Sequence, residues 1–240
     1  MNEEKLECAA NKRPRCGRCH RPLTHCLCAR IPSLEGRTRV LVLQHPDESG
    51  HALNTARLAV LGLRNAELHV ERQFDAALWQ VAGYRPCLLF PGQGAQVLIP
   101  PEAIGTVDNP RPARETTGKA DSQPAIPVLL VVPDGTWRQA RQLLAMHPEL
   151  AALPRVTLPA GVTTRYRVRY AGDAGALSTV EAIAAALNAL EAPRSFDALL
   201  APFEALIAGQ IAAMGPDCYR RHHVLREGNR AAKRKDEGER

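Results

Sequence analysis

Residues 128–141 read Val-Leu-Leu-Val-Val-Pro-Asp-Gly-Thr-Trp-Arg-Gln-Ala-Arg, and the run changes character half way along. Its first five residues are all valine or leucine, which is typical of a strand buried on both faces of a parallel sheet. The second half has helical spacing, and Thr136 with Gln139 has the spacing of a capping box. Asp134 then lies outside the helix, at the carboxyl end of a strand, where open α/β sheets bind ligands.

Length and charge limit the possible classes of protein. The chain has 240 residues, 45% of them hydrophobic, which suits one domain with a small additional module. Lys and Arg total 31 against 25 Asp and Glu, so the formal net charge is +6. This balance favours a polyanionic partner, although a solvated basic surface explains it equally well. No apolar run approaches the ~20 residues of a membrane span, and no signal peptide is evident. We therefore expect a cytoplasmic protein without membrane contact.

Four cysteines lie close together near the start of the chain. They are Cys16, Cys19, Cys26 and Cys28. In a reducing compartment, clustered cysteines are more often metal ligands than disulfides, and two close pairs can place four thiolates around zinc. Because the second pair is a less usual C-x-C, Cys8, His20 or His25 could replace one ligand. The knuckle either holds the N-terminal segment or brings nearby arginines to phosphates, and a closed four-thiolate site leaves no position for catalysis.

Further strands and helices complete the predicted α/β pattern. Strands are predicted at residues 39–44, 66–72, 87–90 and 155–158, and helices at residues 46–61, 136–146, 178–190 and 196–214. The turn after the third strand contains Gly92 and Gly94, which allow the backbone to approach a ligand, although a plain turn is the alternative. Ser178 and Glu181 form a second capping box, whose helix N-terminus suits an anionic ligand or serves as a cap alone.

Residues 164–170 read Thr-Arg-Tyr-Arg-Val-Arg-Tyr and alternate basic residues with apolar or aromatic ones. Guanidinium groups bind phosphates and rings stack on bases, so the pattern favours a nucleic-acid contact. An edge strand with a solvated face is the alternative. The six prolines of residues 100–127 indicate a mobile surface insertion within one domain.

Several motifs, taken together and in order, resemble the DTW-domain family of tRNA-uridine aminocarboxypropyltransferases, which are related to the SPOUT superfamily. They are Cys-x2-Cys with Cys-x-Cys, Gln44-His45-Pro46 with Asn54-Thr55-Ala56, Asp134-Gly135-Thr136-Trp137 with Ala140-Arg141, Arg165-Tyr166-Arg167, and Leu177-Ser178-Thr179 with Glu181-Ala182. The resemblance runs from about Cys16 to Leu190. Two departures are the proline-rich insertion and Pro133, which interrupts the apolar run and affects the aim of Asp134.

The resemblance implies transfer of the 3-amino-3-carboxypropyl group from S-adenosylmethionine to N3 of a tRNA uridine, forming acp3U and releasing methylthioadenosine. It also implies a SPOUT-like, mostly parallel sheet with helices on both faces and a knotted cofactor region. Uridine N3 must lose its proton, and only a carbon presented in line with N3 reacts. An S-adenosylmethionine-dependent RNA methyltransferase and a non-catalytic zinc-knuckle RNA-binding adaptor are the alternatives.

The same resemblance assigns expected roles to particular residues. Asp134 is the expected general base, and Trp137 places an apolar ring beside it or stacks on a base. The residues expected to bind the co-substrate are Pro91, Gly92, Gly94, Asp134, Gly135, Thr136, Leu158, Ser178, Thr179 and Glu181. The residues expected to contact tRNA are Arg30, Arg57, Arg141, Arg165, Tyr166, Arg167 and Arg169. Zinc on the four cysteines is expected to be structural.

The expected organisation has four parts. These are a lead-in at residues 1–15, the zinc knuckle at 16–30, the DTW catalytic domain at 36–215 and a basic tail at 216–240. No DNA partner is expected, and a monomer is favoured over an oligomer.

Overall fold

A computed structural model describes residues 14–51, 53–98, 126–159, 162, 164 and 177–220. Its centre is a six-stranded sheet of order β2-β1-β5-β3-β6-β4, in which all neighbouring strands are parallel. The strands are β1 (Arg39–Gln44), β2 (Ala66–Val70), β3 (Arg85–Leu89), β4 (Gln96–Val97), β5 (Val128–Asp134) and β6 (Arg155–Thr157). The helices are α1 (Pro46–Ser49), α2 (Ala56–Gly62), α3 (Trp137–Met146), α4 (Pro148–Ala151), α5 (Thr179–Leu190), α6 (Ala201–Met214) and α7 (Pro216–Tyr219). The predicted α/β class and parallel sheet are confirmed.

Helices cover both faces of the sheet. Leu130 and Val132 of β5 pack on one face with residues of α2, α5 and α6. Leu129 and Val131 pack on the other face with residues of α3 and α4. Side chains of a strand alternate between faces, so a strand covered on both sides must be apolar at every position. This confirms the prediction that residues 128–132 form a strand buried on both faces.

Pro133 does not interrupt the central strand. β5 continues to Asp134, and its last two residues, Pro133 and Asp134, are register partners of Leu43 and Gln44 in β1. The carbonyl of Asp134 accepts the N–H of His45 at 2.9 Å, so the backbone groups of Asp134 face β1 and those of Pro133 face the opposite side. On that side, pairing with β3 ends at Val131. The N–H that proline lacks is therefore not needed by the ladder.

Three sequence predictions differ from the structure. The single helix expected at residues 46–61 is two helices, because the Asn54 side chain donates to the carbonyl of Glu48 at 3.2 Å and accepts the N–H of Arg57 at 3.3 Å. Trp137 has the helical spacing of an apolar side with Ala140 and Leu144, which are buried, yet it is 48% exposed. The two-residue strand β4 was not predicted, since it is too short to show alternation.

The helical stretch Asp197–Met214 is long and apolar enough to cross a membrane by length and composition, with a mean hydropathy of 1.3 over 18 residues. Phe203 and Ile207 within it are buried in the same core cluster as α2 and α5. A buried core helix passes the same test as a membrane span. The expected absence of membrane contact stays a prediction.

Several predicted features lie outside the described residues. They are nearly all of the lead-in, nearly all of the proline-rich insertion, the arginine and tyrosine segment from Arg165 onward, and most of the basic tail. Most of the chain between Leu158 and Ser178, two of the residues expected to bind the co-substrate, also lies outside the described part. The knot therefore stays a prediction.

A buried carboxylate joins the end of α5 to the start of β1. Glu191 is 8% exposed, and its Oε1 accepts the N–H of Thr38 at 2.6 Å.

We expect Glu191→Ala to lower the free energy of unfolding by about 1–3 kcal/mol, because the buried N–H of Thr38 loses its partner. Urea unfolding followed by circular dichroism measures the change. Glu35→Ala, which removes an exposed ion pair with Arg64, is the control and should change it by less than ~0.5 kcal/mol. Equal losses in both variants would contradict the argument.

Candidate active site and metal centre

The carboxyl ends of β1 and β5 meet at a point where the chain changes sides. The connection after β1 leads to α2 on one face of the sheet, and the connection after β5 leads to α3 on the other. Where neighbouring connections leave to opposite faces, a crevice opens at the carboxyl edge of the sheet, and open α/β sheets bind ligands there. Asp134 and Gln44 are register partners at this point. The acid singled out from the sequence therefore lies at the switch point of the sheet.

Two side chains hold the carboxylate of Asp134. Gln44 Nε2 donates to its Oδ2 at 2.7 Å, and the hydroxyl of Thr179 donates to its Oδ1. No partner of this carboxylate could be predicted from the sequence, because only the sheet register and the start of α5 bring the two donors to it. A carboxylate has about four acceptor positions, so these bonds orient the group without using all of its capacity.

A chain of hydrogen bonds runs from this acid to the cysteine knuckle. Asn54 Nδ2 donates to Gln44 Oε1 at 3.2 Å, and Arg21, between the two cysteine pairs, donates to the Asn54 carbonyl at 3.0 Å. Gln44 is completely buried. Its amide connects the acid on one side with Asn54 on the other, so the knuckle and the acid belong to one polar network.

Both predicted capping boxes are confirmed. Thr136 N–H donates to Gln139 Oε1 at 2.7 Å, and Ser178 N–H donates to Glu181 Oε2 at 2.8 Å. The two helices α3 and α5 thus begin beside Asp134 with their first turns ordered. Gln139 Nε2 lies 3.0 Å from Nδ1 of His45, which ties the start of α3 to the end of β1.

Other residues expected around the co-substrate follow the carboxyl ends of β3 and β6. Pro91, Gly92 and Gly94 form an exposed turn after β3, in which Gly94 has a φ of +75°, a conformation that favours glycine. A side chain at Gly92 would collide with the guanidinium of Arg155. Leu158 follows β6 and is partly buried. Because the strands are parallel, these residues lie on the same edge of the sheet as Asp134.

Trp137 forms an exposed aromatic surface at the start of α3. Its ring packs edge-on against Phe90, with centroids 5.5 Å apart. Phe90 follows β3, so this contact joins the turns after β3 and β5. Gly135 lies between Asp134 and the capping residue Thr136. A Cβ added at Gly135 would lie 3.0 Å from Gln139 Oε1, so a larger residue there would disturb the capping box.

The residues expected to contact RNA are only partly described. Arg30 and Arg141 are exposed, and Arg57 is half-buried on α2. Arg165, Tyr166, Arg167 and Arg169 lie outside the described residues. The predicted arginine track therefore stays a prediction.

Sequence reasoning missed the supporting partners of the acid. Gln44 and Asn54 belong to the motifs that carry the family resemblance, but their spacing in the sequence predicts no contact with Asp134. The signal that could have found Gln44 is a polar residue at the end of an apolar strand. Its partner Asp134 is 90 residues away, so only the sheet register reveals the pair.

The four knuckle cysteines converge on one point. All four Sγ atoms lie within 4.8 Å of one another, with Cys16 to Cys28 at 3.6 Å and Cys19 to Cys26 at 3.8 Å. Tetrahedral Zn–S bonds of about 2.3 Å require S–S separations of about 3.8 Å, so the cluster has the dimensions of a zinc site. Among the described residues, neither His20 nor His25 belongs to this group. The four-cysteine set is therefore favoured over a set with either histidine, whereas Cys8 lies outside the described residues.

The protonation of these thiols also fits a cation site. Backbone N–H groups of Cys19 and Arg18 lower the pKa of Cys16 to about 6. Burial, followed by the hydrogen bond from Cys16, raises the pKa of Cys28 to about 12. One thiolate thus forms readily while its neighbour resists ionisation. A bound divalent cation would remove the conflict, because it stabilises all the thiolates together.

The chain belongs to the DTW domain family, whose model matches residues 13–211. Over 229 residues it is 31% identical to tRNA-uridine aminocarboxypropyltransferase 2 of Mus musculus, with 91% of this chain and 71% of the relative covered. It is 30% identical over 212 residues to the Drosophila melanogaster protein of the same name, with 84% and 76% covered. It is 26% identical over 204 residues to tRNA-uridine aminocarboxypropyltransferase A of Arabidopsis thaliana, with 76% and 75% covered. No solved structure matches the chain.

Proposed function

We propose that this protein transfers the 3-amino-3-carboxypropyl group of S-adenosylmethionine to N3 of a uridine in tRNA, forming acp3U. The family and the names of three relatives support the reaction class. The observation that carries the proposal within this chain is the Asp134 carboxylate, which Gln44 and Thr179 orient at the switch point of the sheet.

The chemistry requires a base and a defined geometry. Asp134 accepts the N3 proton, and the N3 electron pair forms a bond to the γ-carbon of the amino-acid side chain. The bond between that carbon and sulfur breaks, and methylthioadenosine leaves with the electron pair. Gln44 and Thr179 hold the carboxylate of Asp134 in one orientation, so the side chain loses little conformational freedom when the substrates bind. The exposed ring of Trp137 offers a face for stacking beside the acid.

The turns after β3 and β6 and the start of α5 are the proposed surroundings of S-adenosylmethionine. Pro91 to Gly94, Leu158 and Ser178 lie at the carboxyl edge of the sheet with Asp134. A cytoplasmic location, a monomeric state and tRNA contacts through the arginines stay predictions of the sequence.

Label transfer tests the reaction. We expect tRNA incubated with the protein to gain label from S-adenosylmethionine labelled in the carboxypropyl group, and none from the methyl-labelled compound. Nucleoside mass spectrometry should then detect acp3U. Label from the methyl group alone would indicate the methyltransferase alternative. If tRNA binds and neither label enters it, the protein is the non-catalytic adaptor.

Replacing the acid by its amide tests the role of Asp134. We expect Asp134→Asn to lower kcat by about 10²- to 10⁴-fold, because an amide cannot accept the N3 proton. The amide oxygen can still accept from Gln44, and the amide nitrogen can donate to the hydroxyl of Thr179, so the side chain stays in place. Single-turnover acp3U formation and tRNA binding measure the two effects separately, and tRNA affinity should be nearly unchanged. Asp75→Asn, at an exposed acid that caps a short helical turn, has the same change in charge and should keep full activity. Retained activity in Asp134→Asn would refute the role as base.

We further propose that Cys16, Cys19, Cys26 and Cys28 hold one structural zinc ion. The four thiolates would use every tetrahedral position, so the metal supplies stability and no chemistry at the uridine. We expect one zinc per chain by metal analysis, and a melting temperature that falls on incubation with a strong chelator. Cys26→Ser should lose most of the zinc, whereas Cys87→Ser, at a buried thiol of the sheet, should retain it. Equal zinc content in both variants would contradict the assignment.

A further inference from the structure

A pocket borders Asp134 on the α3 side of the sheet. Its volume is about 200 Å³, and its walls come from the ends of β1 and β5, the turn after β2, and α3. This side is opposite to the face on which Thr179 of α5 approaches the acid. Asp134 therefore lies between two sites. The proposed surroundings of S-adenosylmethionine are on its α5 side, and the pocket is on its α3 side.

The size of the pocket limits what can occupy it. Sites for drug-sized ligands have volumes of about 300–1,000 Å³, so 200 Å³ is too small for the whole co-substrate and large enough for a single nucleobase. Enzymes that modify a base inside structured nucleic acid turn it out into a fitted pocket, where apolar side chains cover its faces. Leu43, Phe74 and Met146 supply such surfaces here.

The polar groups of the pocket suit a uracil nucleotide. The edge of uracil has two acceptors, O2 and O4, around the N3–H donor. The amides of Gln73 and Gln142, both among the lining residues, offer donors and acceptors to such an edge. The carboxylate of Glu71, also among the lining residues, can accept a hydrogen bond from a base but cannot donate one when ionised.

Arg72 supplies a cation at the mouth of the pocket. Its side chain is 68% exposed and pairs with Asp47 at 3.3 Å. An exposed ion pair contributes only about 0–1 kcal/mol, so a tRNA phosphate can replace Asp47 at small cost. A guanidinium can bind a phosphate through two parallel hydrogen bonds, which would fix the backbone of the nucleotide whose base fills the pocket.

We propose that this pocket receives the target uridine of tRNA, with its base between Met146 and Phe74 and its phosphate on Arg72. The inference rests on the proposed function. It assigns the uridine to the α3 side of Asp134 and S-adenosylmethionine to the α5 side, so that the two substrates meet at the acid.

Two matched pairs of variants of the full chain test the assignment. Arg72→Ala is compared with Arg64→Ala, because Arg64 is also exposed, at 64%, and also pairs with one acid, Glu35, at 3.4 Å. Gln142→Trp fills the pocket, and Ala145→Trp adds the same ring at an exposed position of α3 outside it. The measurements are KM and kcat for tRNA modification, and the Kd for S-adenosylmethionine by calorimetry.

We expect Arg72→Ala and Gln142→Trp to raise KM for tRNA about tenfold or more, as the loss of a charge-assisted contact or of the pocket predicts. Arg64→Ala and Ala145→Trp should change it less than about twofold, and all four variants should keep the Kd for S-adenosylmethionine. Equal effects within a pair, or no effect, would overturn the assignment. A weakened affinity of Gln142→Trp for S-adenosylmethionine would also overturn it, because the pocket would then belong to the co-substrate. Wild-type activity tests the proposed function separately, since active wild type with unaffected variants removes only this inference.

Discussion

The pairing of β1 with β5 is the constraint on which the site depends. Gln44 and Asp134 are opposite each other at the end of this ladder, where the acid's carbonyl also accepts the N–H of His45. A shift of one residue would turn either side chain to the other face of the sheet. The alternating burial of β5 prevents that shift, since its apolar residues already fill both cores. Packing thus sets the position of the acid before any ligand binds.

The same packing connects the knuckle to the site. Arg21 bonds to Asn54, Asn54 to Gln44, and Gln44 to Asp134, each at 2.7–3.2 Å. In a buried network of this kind, each polar group relies on the next for its hydrogen bonds. Folding of the cysteine cluster therefore favours the same arrangement of Asn54 that orients the acid.

The two helices beside the acid have different tasks despite their similar starts. Both begin with a capping box, yet α5 contributes the hydroxyl of Thr179 to Asp134, whereas α3 contributes the exposed ring of Trp137. The difference arises because they pack on opposite faces of the sheet. Asp134 at the strand end can therefore be approached from both faces of the sheet.

Five of the six strands described, the helices capped by Thr136 and Ser178, and the cysteine cluster could be predicted from the sequence. Each depends on local spacing, such as an apolar run, a capping box or a C-x2-C pair. The division of residues 46–61 into two helices could not, because Asn54 ends the first by bonds whose geometry the spacing does not show.

Asp134 stood out in the sequence as an acid that does not cap a helix, but the sequence could not supply its partners. Gln44 and Thr179 are 90 and 45 residues away from it, and only the order and register of parallel strands bring them together. The pocket beside Arg72 has the same origin, since its walls come from separate strands and a helix. Local composition therefore determined the elements of this protein and its candidate acid. Tertiary packing decided what surrounds that acid, because contacts between distant segments depend on the sheet register and on which face each helix covers.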